Sequence, residues 1–340
     1  MSSPRLLQVG NVGQICGGTA ACAWTVTRAL PDWEHHVLFP APLWGETAEA
    51  FAQTRVWSRD VFDEAQLAAL QPDMILLHNQ TPDAWRFSAN APTVQYLHSQ
   101  IPPATADVTV CCSHWLARQT GRRTSDVRWQ GVPRPLKSDT PRGRPGRLVV
   151  GRLCTPTTAK WPRELLACYA EWAAALPYVW WEFVGCPPDL QSSLHDACGG
   201  QTAFHRAGWQ ARQRLWTWDV LLYHHPHMTE SFGRTVAEAS RAGCVSVVDR
   251  RGGFVEQVTE GSGILCTNRG EFQEALRLLS DSAIRGRMSR QAQVAAEQRF
   301  SLARFARDLL ATFAQAAALR AGNVRSAGIS AASPRATRSA

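Results

Sequence analysis

The sequence predicts an α/β protein made of two doubly wound domains. Three observations carry this. Short apolar runs alternate with helical patterns from end to end, the runs are nearly continuous rather than alternating, and one stretch rich in Pro, Gly and charge splits them into two arrays. Continuous apolar runs mark strands buried on both faces, hence parallel sheets covered by helices. Two successive arrays imply two such domains, and 340 residues exceed what one ordinary core supports.

In the first array the strands are read at Leu6–Val9, Val37–Phe39, Met74–Leu77, Thr93–Leu97 and Val108–Cys112. In the second they are read at Arg147–Gly151, Trp180–Val184, Val220–Tyr223 and Val245–Val248. Between the arrays, Gly131–Gly146 carries no apolar period and reads as a linker. The expected layout is a first domain over 1–135, a linker over 136–146 and a second domain over 147–299. A terminal amphipathic helix follows over 300–320, placed to pack back toward the first domain, with Leu302, Phe305, Leu309 and Phe313 on one face. Residues 321–340, rich in Ser, Ala, Gly and Arg, read as a disordered tail. No internal sequence repeat is visible.

Composition narrows the function classes. No apolar run reaches the roughly 18 residues of a spanning helix, and Met-Ser-Ser-Pro-Arg leads straight into a strand, leaving no room for a signal peptide. A cytoplasmic protein is the expectation. The ten cysteines show no C-x-x-C spacing, so reduced, buried thiols are expected rather than a metal framework. The net charge of +8 owes much to arginines between Arg118 and Arg163. No nucleic-acid-binding signature accompanies it, so no nucleic-acid partner is expected, whereas peripheral contact with an anionic membrane surface fits such a patch.

Ligands of open parallel sheets bind beyond the carboxyl ends of the strands, which selects particular residues. After the first strand, Gly17-Gly18 opens a helix, serving either a tight turn or a phosphate at the helix N-terminus. The spacing is not G-x-G-x-x-G, and no acid ends the second strand, so a nicotinamide site is not expected. His78 and His98 each end a strand. Arg152 and Lys160 follow the first strand of the second domain, where they sit either on the surface or against a diphosphate. His224, His225 and His227 surround Pro226, an irregular arrangement that suits a crevice lining better than a metal.

The strongest signal is Glu230-Ser-Phe-Gly-Arg-Thr-Val-Ala-Glu238. On one helix two residues eight apart lie about 80° apart in rotation, so the acids would not share a narrow face. A helix starting near Ser231–Gly233 leaves Glu230 in the loop and Glu238 in the second turn. The N–H groups of Ser231, Phe232 and Gly233 are then free for phosphate, with Arg234 and Thr235 beside them on the donor side. Two solvated acids on a surface helix is the competing reading.

This pattern resembles the retaining glycosyltransferases of the GT-B fold, family 4. The resemblance rests on E-x7-E from Glu230 to Glu238 with Ser-Phe-Gly after the first acid, on Ala242-Gly243, Val247-Val248 and Gly252-Gly253-Phe254-Val255-Glu256, and upstream on Val150-Gly-Arg152-Leu and Lys160. Gly17-Gly18, His98, Ser113 and Gly131-Val132 fall where the family's N-terminal landmarks are expected. It implies two Rossmann-like domains facing across a cleft and metal-independent transfer of a hexosyl group from a nucleotide-sugar, the co-substrate, to a glycan, lipid-linked or small-molecule hydroxyl. By the same resemblance Glu238 holds the ribose, and Glu230 with the Ser231–Gly233 backbone holds the sugar. Arg152 and Lys160 stabilise the leaving diphosphate, and His98 lines the acceptor side. The Arg152–Lys160 gap is longer than usual, and Trp161 stands where the family commonly has glycine. Alternatives from the same resemblance are a non-catalytic nucleotide-sugar-binding protein and a nucleotide-sugar 2-epimerase.

Overall fold

The structure is a computed structural model and describes residues 3–41, 43, 45–87 and 90–331, with side chains described to residue 322. Its first sheet comprises β1 (Arg5–Val9), β2 (Glu34–Phe39), β3 (Arg55–Ser58), β4 (Met74–His78), β5 (Thr93–Leu97) and β6 (Val108–Cys111), in the order β3-β2-β1-β4-β5-β6. The second comprises β7 (Leu148–Leu153), β8 (Val179–Val184), β9 (Thr202–His205), β10 (Val220–Tyr223), β11 (Val245–Asp249) and β12 (Gly263–Cys266), in the order β12-β11-β10-β7-β8-β9. All strand pairs are parallel. Counted within its own sheet, each runs 3-2-1-4-5-6, the doubly wound order whose ligand crevice opens between the first and fourth strands. An α/β fold of two such units is therefore observed, duplicated in topology although no repeat shows in the sequence.

Every strand read from the sequence is present. The three missed, β3, β9 and β12, are edge strands, half-exposed along most of their length. A strand with a neighbour on one side only need not be continuously apolar, which removes the signal used to find it.

The chain passes between the units twice, through the 131–147 stretch and again at Ser301, between the helices Ser282–Phe300 and Leu302–Ala331. Arg142 ties the first crossing down by donating to the carbonyls of Trp218 and Gly243 (2.6 and 3.0 Å) and of Ala242. At the second, Phe300, Phe305, Leu309 and Phe313 are buried in one cluster with Leu76, Val94 and Val110 of the first sheet and with Phe232 and Ala237 of the second unit. Burial of side chains this size is worth about 1.5–3 kcal/mol each, so the contact between units is part of the core. The helix continues to Ala331, beyond the expected start of a disordered tail at 321: once nucleated, a helix propagates cheaply through alanine-rich sequence. Residues 332–340 of that expected tail lie outside the described residues. No helix among the described residues is long and apolar enough to cross a membrane.

Candidate functional site

The loop after β10 leads through Glu230 into the helix Arg234–Ala242. Gly233 caps that helix in the left-handed region at φ 81°, which only glycine adopts without strain, and Phe254 packs where a Cβ would stand. The helix therefore begins after Gly233. Among the described residues the N–H groups of Ser231 to Thr235 meet no protein acceptor, as the sequence predicts for Ser231–Gly233. The loop is shaped from beneath by Gly252-Gly253: Gly253 donates its N–H to the Glu230 carbonyl at 2.8 Å. A Cβ on Gly253 would lie 2.4 Å from the Ser231 carbonyl oxygen and 2.7 Å from the Phe232 Cα. The Phe232 side chain points away from the crevice into the inter-unit cluster against Phe300, so only its backbone is available to a ligand.

Glu230 and Lys160 are brought together. The Lys160 ammonium contacts Glu230 Oε1, which also accepts from the Tyr223 hydroxyl, and both side chains keep about a quarter of their exposure at 24% and 22%. The turn carrying Lys160 is gripped from two sides. Arg152 donates to the Lys160 carbonyl (2.9 Å) and the His224 carbonyl (2.7 Å), while His225 Nε2 meets the Ala159 carbonyl at 2.8 Å. His225 Nδ1 accepts the N–H groups of His227 and Met228, so the ring is neutral.

Arg152 departs from expectation. It is 1% exposed, its guanidinium lying 5.0 Å from the Trp161 ring centre and 4.8 Å from that of Tyr223. The Trp161 indole covers the cation, and backbone carbonyls take two of its nitrogens. Arg152 thus supports the Lys160 turn instead of presenting itself to the crevice. His224 bonds Asp249 at 2.7 Å, and the exposed His227 lies beside Glu164 at 3.3 Å. The three histidines do not converge.

Glu238 is 2% exposed in the second helical turn. Its Oε1 accepts from Arg212 Nε and Arg234 Nε, each at 3.0 Å, whereas its Oε2 is buried with no partner. A buried, unpaired carboxylate oxygen is costly unless something donates to it. Glu238 lines a cavity of about 330 Å³ with Trp24, Arg28, Pro133, Trp209 and Arg212. A larger cavity, about 1090 Å³, lies between the loops past β1 and β2 (Gln14–Cys16, Glu46) and those past β8 and β9 (Cys186, His205–Gly208). The carboxyl ends of the two sheets therefore face each other.

Arg234, expected on the donor side, is buried between the units. It donates to Thr25 Oγ1 (2.7 Å), the Gly131 carbonyl (3.2 Å) and Gln130 Oε1 (3.3 Å). Its long side chain reaches across the interface, leaving only its N–H at the crevice. Thr235 is half-buried in the same turn. Gly17 caps the helix Gly18–Ala29 in extended conformation without a side-chain cap, so that N-terminus is also open. Two further contacts join the units: the Glu256 carboxylate accepts the N–H groups of His114 (2.8 Å) and Trp115 (2.6 Å), and Glu46 accepts that of Trp209 (3.3 Å).

His98 has both ring nitrogens engaged, Nε2 with His78 Nδ1 (3.1 Å) and Nδ1 with the Gln130 amide (3.0 Å). It is half-buried, and both nitrogens are committed to protein partners rather than free for an acceptor. Cys22 Sγ joins these two rings within 4.8 Å, a grouping that would suit a soft cation. The rings, however, already bond each other, and Arg234 stands close enough to act on Cys22 and His98.

Burial holds His78, His98 and His225 below the ordinary histidine value, His78 at about 3 against 6.5. Each is neutral when folded and takes a proton when unfolded below about pH 6.5. Their stabilisation is therefore complete above that pH and is lost as pH falls toward their folded values, at about 1.4 kcal/mol per unit for His78. His224 has the opposite sign. Burial opposes its charge, but Asp249 and Cys168 together outweigh burial and raise it, so its contribution is complete in acid and fades as pH rises through that raised value. Denaturant unfolding should lose about 1 kcal/mol or more between about pH 6.5 and 5.5; a flat profile would contradict these assignments.

The sequence reading missed Tyr223, Arg212 and Gln130. Tyr223 ends a strand beside the E-x7-E loop, a usable positional signal, but Arg212 lies in an irregular 3-10 segment (Gln210–Trp216) and Gln130 just before the linker.

No family model and no curated protein matches this chain. Solved structures do. Anabaena HepE in complex with UDP and glucose is 20% identical with a TM-score of 0.70, over 92% of this chain and 99% of that one. A glycosyltransferase from Rickettsia africae is 12% identical with a TM-score of 0.68, over 93% and 99%. TarM of S. aureus, in a complex containing UDP, is 8% identical with a TM-score of 0.71, over 91% and 99%. At such identities the likeness establishes the fold, which is GT-B.

Proposed function

We propose that this protein is a retaining glycosyltransferase that moves a sugar from a nucleotide-sugar to an acceptor hydroxyl without a divalent metal. The observation that carries this is Glu238: one carboxylate oxygen fixed by two arginines, the other buried and unpartnered, inside a helix whose first N–H groups are free. A ribose hydroxyl supplies the missing donor, and a diphosphate suits the Ser231–Thr235 N–H groups and the helix dipole. Glu230 is placed for the transferred sugar's hydroxyls, with Lys160 beside it as the cation for the departing diphosphate. The fold neighbours include proteins solved with UDP or UDP-glucose, which supports a uridine donor as the first choice to test.

In this reading Lys160 and the helix N-terminus carry the charge stabilisation, and Arg152 acts through the Lys160 turn. Incubation with a panel of nucleotide-sugars and simple glycoside acceptors should release nucleoside diphosphate and give a product of unchanged anomeric configuration by NMR. Excess EDTA should leave the rate within about twofold. Donor binding with no turnover across the panel would favour the non-catalytic reading, to which the burial of Arg152 lends support. Conversion of a donor without acceptor would favour the 2-epimerase.

A further inference from the structure

Five side chains, four buried and His98 half-buried, form one hydrogen-bonded chain from the first sheet to the helix carrying Glu238. Arg234 Nη1 meets Gln130 Oε1 at 3.3 Å, Gln130 Nε2 meets His98 Nδ1 at 3.0 Å, His98 Nε2 meets His78 Nδ1 at 3.1 Å, and His78 Nε2 meets Gln8 Oε1 at 3.0 Å. Gln8, His78, Gln130 and Arg234 are all less than a tenth exposed. At its other end Arg234 donates through Nε to Glu238.

The direction of this chain follows from one residue. A guanidinium only donates, so the Gln130 amide must turn its oxygen to Arg234 and its NH₂ to His98. His98 Nδ1 is then an acceptor, its proton is on Nε2, and that proton is donated to His78 Nδ1. The His78 proton is accordingly on Nε2 and is donated to Gln8 Oε1. Both rings are neutral, and neither nitrogen of His98 is free to take a proton from a substrate.

We infer that Gln130 is a positioning residue: its amide fixes the tautomers of His98 and His78 and orients Arg234, and through Arg234 leaves Glu238 with one oxygen held and one free. It stands at the passage between the two units, so it joins the packing of the first sheet's strand ends to the geometry of the ligand carboxylate. The part concerning Glu238 rests on the nucleotide-sugar reading; the tautomers do not.

Nitrogen-15 NMR of the full chain with labelled histidine reads the chain directly. In the wild type, His78 and His98, assigned by single His→Gln variants, are expected as Nε2–H tautomers. Gln130→Glu offers a carboxylate to both neighbours. His98 is then expected to carry its proton on Nδ1, His78 to follow, and Gln8 to rotate so that its Nε2, unpartnered in the wild type, becomes the donor. Affinity for UDP, measured by calorimetry on the same samples, should fall roughly 3- to 10-fold as the new carboxylate draws Arg234 from Glu238. An Nδ1–H tautomer at either ring of the wild type overturns the inference without need of a variant, as does a Gln130→Glu pattern identical to wild type. Wild-type tautomers and a Gln130→Glu shift as described, with no UDP binding by any sample, uphold the role of Gln130 and count against the nucleotide reading alone.

Discussion

Glu238→Ala should destabilise the fold by about 3–5 kcal/mol and abolish detectable nucleotide binding. The carboxylate is the counter-charge of Arg212 and Arg234, which are 13% and 7% exposed at the side chain. Removing it leaves two desolvated guanidiniums facing each other, and breaking a buried ion pair by deleting one partner costs that much because an uncompensated charge remains. Glu238→Gln separates the two effects. It keeps an oxygen for the arginines and the same volume but removes the counter-charge and puts an NH₂ at one corner, so it should cost less stability than Glu238→Ala and still lose most of the affinity. Chemical denaturation gives the first quantity and calorimetry the second. Affinity retained in Glu238→Gln would mean that the carboxylate is structural only.

Gly253→Ala is expected to lower transfer by about 100-fold or more. Its Cβ would meet the Ser231 carbonyl oxygen at 2.4 Å and Phe232 Cα at 2.7 Å, both backbone atoms of the loop that carries Glu230 and the free N–H groups. Backbone cannot rotate aside as a side chain can, so the loop must shift, and displacement of about 1 Å at a reacting centre is enough for such a loss. Gly252→Ala should act alike, since Gly252 has φ 60° and its Cβ would meet the Glu230 carbonyl oxygen at 2.4 Å. Steady-state rates beside thermal melts distinguish a displaced loop, with melting largely retained, from general unfolding.

How far the sequence could be read follows from what each residue answers to. Interior strands such as β4 and β10, buried throughout, carry a continuous apolar run and were legible. The half-exposed edge strands β3, β9 and β12 were not, whereas β6, also at an edge but buried in three of its four residues, was. The free helix start was legible because Glu-Ser-Phe-Gly is a local pattern and Gly233 must cap it. Which way Arg152, Phe232 and Arg234 point was not, because each is fixed by a partner far along the chain: Arg152 by the His224 carbonyl past β10, Phe232 by Phe300, and Arg234 by Thr25 and Gln130. Spacing can place a residue at a crevice, but only tertiary packing decides whether its charge faces ligand or spans an interface.

Calorimetric titration of UDP into the wild type and into Glu238→Gln, both with EDTA present, tests the donor site most directly. Saturable binding to the wild type, weakened at least about tenfold by removing one carboxylate oxygen, is the expected result. Binding that Glu238→Gln leaves unchanged, or that appears only when a divalent cation is added, would contradict it.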